Sequence, residues 1–251
     1  MKDLVSVITP AFNSEKFIQT AYSSLLKQDY NNWEWLVTDD NSKDTTYDIL
    51  LDLARSDCRI KVFQNHHNSG AAVSRNKSLE NASGRFIAFL DSDDLWYEQK
   101  LSLQLEFMKS NNCAFSFTSF DVIEEDERGF RKVVDKNKCG PLSYEDMLKK
   151  NATLGCSTVM LDKKVTGDFS MPLIRTGQDY ALWLSLLKKN IQAYHLPVVL
   201  TGYRILSNSI SRNKFKKARR QWQIYREIEK ITLLPACYYF AHYAYHAIFR
   251  K

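Results

Sequence analysis

The sequence predicts an α/β protein: a mostly parallel sheet flanked by helices, a mixed back half, and basic, aromatic helices at the C-terminus. Three observations carry this reading. Up to residue 110, short β-branched or aromatic runs alternate with stretches of helical period, as βαβ crossovers require. The runs end in polar clusters, Thr9-Pro10, Asp39-Asp40, His66 to Gly70 and Asp91 to Asp94, where open parallel sheets bind ligands. Beyond residue 110 the alternation lapses, and a hairpin pattern replaces it.

Leu4 to Thr9 reads as the first strand, and Asn13-Ser14 offers an N-cap to a helix carrying Phe17, Ile18, Ala21, Tyr22, Leu25 and Leu26 on one face. Trp33 to Thr38 is the second strand, and Tyr47, Leu50, Leu51 and Ala54 mark the second helix. Ile60 to Phe63, a helix over 71–81, and Phe86 to Leu90 follow, then a helical pattern from Leu101 to Met108. In the back half, Ala114 to Val122 and Phe130 to Val134 form the arms of a hairpin around Arg128-Gly129. Ser143 to Asp146 is a capping-box signature, and Cys156 to Leu161 a further strand. Gly177-Gln178-Asp179 opens a helix with Leu182, Trp183, Leu186 and Leu187 on one face, and one or two short strands lie around Pro197.

An apolar fraction of 44% and a charged fraction of 25% over 251 residues exclude disordered and fibrous classes and allow a full core. The five cysteines lack the close pairs of zinc sites, which points to reduced thiols in a cytoplasmic compartment. No signal-peptide pattern precedes Thr9-Pro10. The formal charge of +6 is uneven: residues 212–251 carry ten Lys/Arg against two Glu, and the first 211 carry 25 basic against 27 acidic residues.

The densest negative charge is Asp91-Ser92-Asp93-Asp94, directly after an apolar strand. Carboxylates this close raise one another's pKa unless a cation lies between them. Mn²⁺ or Mg²⁺, held by one or two carboxylates and completed by water and phosphate oxygens, suits Asp91 and Asp93. Capping of the following helix by Asp93 or Asp94 is the alternative.

The stretch Val5 to Asn13, Asp39-Asp40-Asn41-Ser42, Asn68 to Asn76, Asp91-Ser92-Asp93, Gln178-Asp179, and Tyr203-Arg204 with Asn208 to Ser211 together resemble the family 2 glycosyltransferases of the GT-A (Rossmann-like) fold. Within that family they are similar to the short bacterial enzymes of cell-surface polysaccharide synthesis, the teichuronic acid biosynthesis type. The resemblance runs from Leu4 to about Ser211 and implies an inverting hexosyltransferase using a UDP-sugar donor and a lipid-linked oligosaccharide acceptor. It implies a nucleotide site at Pro10 and Phe12, with Phe12 against a pyrimidine ring or, alternatively, stapling the helix start. It implies base recognition by Asp40, phosphate binding or ordering of the acids by Arg75, and metal-diphosphate binding at Asp91, Ser92 and Asp93. It also implies Arg204 in the loop that closes over the diphosphate, Asp179 as the general base or, alternatively, a carboxylate at a helix start, and Gln178 at the acceptor, although Gln178 stands where the family commonly has Glu; Trp183, one turn on, suits an acceptor-binding sugar platform or, equally, core packing.

Residues 1–211 are therefore expected to form the catalytic domain, with a nucleotide-sugar half over 1–110 and an acceptor half over 111–211. In 212–251, basic residues flank an uncharged aromatic run from Ile231 to Phe249, interrupted by Pro235, which suits a helix lying on an anionic membrane surface rather than one spanning it. The expected location is the inner face of the cytoplasmic membrane. No nucleic-acid motif accompanies the basic stripe. An Asp-dependent phosphotransfer enzyme and a non-catalytic nucleotide-binding protein at a membrane are the competing readings.

Overall fold

The computed structural model describes residues 3–124, 130–135, 137, 140–205 and 214–249. Four parallel strands lead: β1 (Val5–Ala11), β2 (Trp33–Asp39), β3 (Ile60–Gln64) and β4 (Phe86–Phe89), lying in the order β3-β2-β1-β4. The chain leaves β1 on one side for β2 and β3, then returns to place β4 on the other. A crevice opens at the carboxyl ends where that direction reverses. Thr9 Oγ1 closes its floor, donating to the Leu90 carbonyl at 2.7 Å.

Side chains alternate between the two faces with the strand period. Val5 and Val7, with Phe86, Ala88 and Leu90, face the core under α1 (Ile18–Leu26) and α4 (Lys100–Ser110); α2 (Thr46–Ser56) adds Leu50. Ile8, Ile87 and Phe89 face the core under α3 (Ala71–Glu80).

The back half continues the same sheet with mixed polarity. A two-residue strand, β5 (Leu95–Trp96), pairs antiparallel with β9 (Ala193–Arg204). β6 (Phe115–Ile123) pairs parallel with β9 and antiparallel with β7 (Phe130–Val134), the predicted hairpin; its Arg128-Gly129 turn lies outside the described residues. β8 (Val159–Asp162) runs antiparallel between β4 and β6 and joins the two halves. α5 (Tyr144–Leu148) carries the predicted capping box, Ser143 with Asp146, and the short α6 (Lys163–Thr166) follows β8. α7 (Gln178–Leu187) lays Leu182, Trp183 and Leu186 on the core.

The structure decides four local readings. The acids after β4 do not open a helix: β5 intervenes and α4 begins at Lys100. Ser14 does not cap α1 with its side chain; its hydroxyl lies 2.8 Å from Ser92 Oγ. The Asp39–Ser42 turn, for which helix capping is the alternative to base recognition, does not cap α2, because Ser42 folds back onto the Asp39 carboxylate and Asp44 accepts the Thr46 N–H at 3.0 Å. Around Pro197 runs one strand of 12 residues, whose pairing with β6 shifts register next to the proline, where the missing N–H costs no ladder bond.

α8 (Lys214–Gln223), a π-type turn at Ile224–Ile228 and α9 (Leu233–Phe249) complete the fold. Ile224, Tyr225 and Ala236 are buried in the same cluster as Trp183 and Met147. The opposite face of α9 is exposed at Leu234, Cys237, Tyr238, Ala241 and Tyr245, without a charged residue among them. No helix among the described residues is long and apolar enough to cross a membrane.

Candidate active site

Asp40 is buried just beyond β2, and its carboxylate is a clamp. Oδ1 accepts the Ser69 N–H and the Asn65 side-chain amide, each at 2.8 Å, and Oδ2 accepts the Gly70 N–H at 2.7 Å. Gly70 has φ +91°, which favours glycine and lets its N–H face the carboxylate before α3 begins. Asp40 thus fixes the loop that launches Arg75, with three of its four lone-pair positions filled. Pro10 is half-buried, and Phe12 at the end of β1 is 45% exposed with its ring free to meet a ligand.

Arg75 projects from α3 to the acidic turn after β4, where it pairs with Asp91 at 2.5 Å. The turn is held at every residue. Asp94 N–H donates to the Asp91 carbonyl at 3.1 Å, Ser92 meets Ser14, and Arg204 Nε–H donates to the Asp93 carbonyl at 2.8 Å. Asp94 is buried and turned away from the crevice; its oxygens accept the Ser157 hydroxyl at 2.6 Å and the Arg204 N–H at 3.0 Å. Arg204 is therefore placed beneath the loop, its guanidinium also reaching the Glu124 carbonyl at 3.2 Å and lying over the Phe17 ring. Asn208 to Ser211, the remainder of the closing motif, lie outside the described residues.

Burial, reinforced by the neighbouring Asp91 charge, raises the Asp93 pKa to about 6, against the opposing pull of Arg204 and Arg75. Burial and the charges of Asp93 and Asp91 push Asp94 well above the carboxylate range. From the back half, Asp179 at the head of α7 comes close enough to feel both Arg75 and Asp91; burial raises its pKa and Arg75 draws it down. Gln178, beside it, is buried. The predicted residues Arg75, Asp91, Ser92, Asp93, Asp179 and Arg204 thus gather at one end of the sheet, with Asp40 behind Arg75.

Trp183 does not belong to this group. It is fully buried, edge-on to Phe89 at 5.6 Å and tilted against Phe115 at 5.3 Å, so it cannot form a sugar platform. One turn beyond Asp179, its position on α7 points into the core.

Sequence reasoning missed Asn65 and Ser157, read Ser14 as a helix cap, and gave Asn76, the last residue of the Asn68 to Asn76 motif, no role of its own. Asn76 donates to the Met171 carbonyl at 2.9 Å and accepts the Met171 N–H at 2.7 Å, anchoring to α3 the segment that leads to Asp179. Asn65 carried a signal as the polar residue next to the His66 to Gly70 cluster, and Asn76 as part of the motif that holds Arg75; Ser157 carried none.

Among the described residues no three His, Cys, Asp or Glu side chains converge into a metal cage. The fit of a divalent cation is therefore judged on Asp91 and Asp93 alone. Two carboxylates in one short turn, one raised to about 6 beside the other's charge, suit an ion that takes its remaining ligands from phosphate and water.

The Glycosyl transferase family 2 profile matches residues 6–166. A Bacillus subtilis (strain 168) protein assigned to teichuronic acid biosynthesis as a glycosyltransferase is 47% identical over 250 residues, covering 100% of this chain and 98% of its own. An Escherichia coli UDP-Glc:alpha-D-GlcNAc-diphosphoundecaprenol beta-1,3-glucosyltransferase is 42% identical over 241 residues, covering 96% of this chain and 92% of its own. Among solved structures, Staphylococcus aureus TarS 1–349 in complex with UDP-GlcNAc superimposes with a TM-score of 0.73 at 21% identity, over 100% of this chain and 74% of that one, a likeness of fold. With the strand order, the acidic turn and Asp179 already gathered at one end of the sheet, these matches establish that the chain belongs to glycosyl transferase family 2 and has the GT-A fold.

Proposed function

We propose that the chain is an inverting glycosyltransferase that moves a sugar from a UDP-sugar to a lipid-linked oligosaccharide in bacterial cell-surface polysaccharide synthesis. The observation that carries this is the convergence of Asp91 and Asp93 from the nucleotide side with Asp179 from the acceptor side, around Arg75. The Escherichia coli relative, named for UDP-Glc and a diphosphoundecaprenol-linked acceptor, supports the choice of donor and acceptor.

In this reading residues 1–110 receive the nucleotide-sugar: Phe12 and Pro10 lie against the base, and the one open lone pair of Asp40 accepts from it. Asp91 and Asp93, steadied by Ser92, hold Mn²⁺ or Mg²⁺. When bound, that cation supplies the positive charge that stabilises the departing diphosphate. Arg75 orients Asp91, and Arg204 supports the loop from below. Residues 111–211 receive the acceptor, with Gln178 beside the base. The acceptor oxygen bonds to the anomeric carbon as the bond from that carbon to the diphosphate oxygen breaks; the bonding pair leaves with UDP, and Asp179 takes the hydroxyl proton. Burial raises its pKa, which strengthens it as a base, and the Arg75 charge pulls the other way. Residues 212–251 rest the enzyme on the inner face of the cytoplasmic membrane, where such an acceptor lies.

The test is UDP release by the full chain from a panel of UDP-sugars, with an undecaprenyl-diphosphate-linked N-acetylglucosamine as acceptor, with Mn²⁺ and with EDTA. Asp179→Asn is expected to lower turnover by about 10² to 10⁴-fold while UDP affinity holds. Full turnover in that variant removes the base assignment, and turnover unaffected by EDTA removes the cation.

A further inference from the structure

We propose that Ser157 is a positioning residue for the divalent-cation site, acting through the Asp91–Asp94 turn; this rests on the reading of Asp91 and Asp93 given above. Ser157 lies in the 3-10 turn that enters β8, and is 2% exposed. Its hydroxyl accepts the Asp91 backbone N–H at 3.0 Å and donates to Asp94 Oδ2 at 2.6 Å. One side chain from the back half thus bonds both ends of the turn that carries the two ligands.

The serine is itself immobilised. Its carbonyl accepts Trp96 Nε1–H at 2.8 Å and Thr201 Oγ1–H at 3.2 Å, which ties it to β5 and β9. Arg204 braces the opposite side of the turn through Asp93 and Asp94. Two carboxylates that must share one ion repel each other in its absence, so their spacing has to be imposed by bonds outside the ligand set. The Ser157 hydroxyl supplies such bonds at the turn's two ends. In its absence Asp91 loses a backbone anchor and Asp94 loses one of the partners that keep it turned away from the crevice.

The experiment measures UDP affinity calorimetrically against Mn²⁺ concentration for the full chain and for Ser157→Ala, Ser157→Thr and Ser116→Ala. Ser116 is an equally buried hydroxyl that accepts Gln104 Nε2–H at 2.9 Å, away from the acidic turn. In Ser157→Ala the Mn²⁺ concentration giving half the enhancement is expected to rise about ten-fold or more. UDP affinity without metal stays near that of the unaltered chain, Ser157→Thr restores the Mn²⁺ response, and Ser116→Ala leaves it unchanged. Ser157→Cys, nearly isosteric and a weak donor, carries the same expectation if the alanine protein does not fold. An unaltered Mn²⁺ response in folded Ser157→Ala, or an equal loss in Ser116→Ala, overturns the inference and leaves the cation site standing. An unaltered chain whose UDP affinity ignores Mn²⁺ removes the cation site and the inference together.

Discussion

Arg75 and Asp91 are ion-paired at 2.5 Å across the floor of the crevice, while the buried Arg75 Nε–H has no acceptor among the described residues. The pair gives the acidic turn a permanent positive neighbour. Arg75→Met leaves Asp91 and Asp93 facing each other without it. The expected loss is about 3 kcal/mol, the low end for a broken buried pair because the Asp91 side chain keeps 27% of its surface exposed. Mn²⁺ should then raise the melting temperature of Arg75→Met more than that of the unaltered chain, which differential scanning calorimetry would measure. Equal increments would show that Arg75 does not shield the acids.

Trp183 is expected to matter for stability and not for acceptor recognition. Trp183→Ala should cost about 3–5 kcal/mol of unfolding free energy by leaving a void between Phe89 and Phe115. Trp183→Phe should recover much of that and leave the acceptor KM unchanged. A raised acceptor KM in a stable Trp183→Phe protein would return the residue to the site.

Lys100 sets a pH dependence of folding. Its ammonium is fully buried beneath Trp96, bonded to Gln104 Oε1 and to the Thr158 carbonyl at 3.3 Å, and burial lowers its pKa to about 7. The unfolded chain holds the same proton up to about pH 10.4. Between about pH 7 and pH 10 the unfolded state therefore binds more protons, and this residue makes stability rise with pH by up to about 1.4 kcal/mol per unit; below pH 7 its penalty is constant. In Lys100→Met that rise should vanish, so urea denaturation of the two proteins should diverge across this window. Parallel curves would place the ammonium's titration elsewhere.

The uncharged stripe on α9 should govern attachment to lipid. Leu234 is 83% exposed and Tyr238 52%, with the Lys149 ammonium 5.8 Å from the Tyr238 ring. Tyrosines edged by cations suit the boundary of an anionic bilayer. Leu234→Glu with Tyr238→Glu is expected to lower co-sedimentation with phosphatidylglycerol vesicles at least ten-fold while thermal stability stays close to that of the unaltered chain. Undiminished co-sedimentation would assign the stripe to some other neighbour.

The parallel half of the fold was legible because β1, β2 and β4 are buried on both faces, and so appear as apolar runs punctuated by polar turns. β5 was not, since two residues, Leu95 and Trp96, carry no period, and the strand exists only through its pairing with Gly202 and Thr201. Of the candidate site, the residues that carry charge at strand ends stood out in the sequence. The bonds that hold them did not: Ser157 and Asn76 have partners 66 and 95 positions away, which no local pattern reveals. Trp183 stood between two readings. Proximity to Asp179 suggested an acceptor platform, whereas helical spacing put it on the apolar face with Leu182 and Leu186, and the structure takes the second.

Asn76 sits next to Arg75 on α3, so a single helical turn grips Asp91 with one side chain and the Met171 backbone with its neighbour. Recombination between homologous chains that swaps everything after residue 110 would break a bargain struck inside α3. Viable hybrids should be those that inherit this helix and the 171 segment from the same parent.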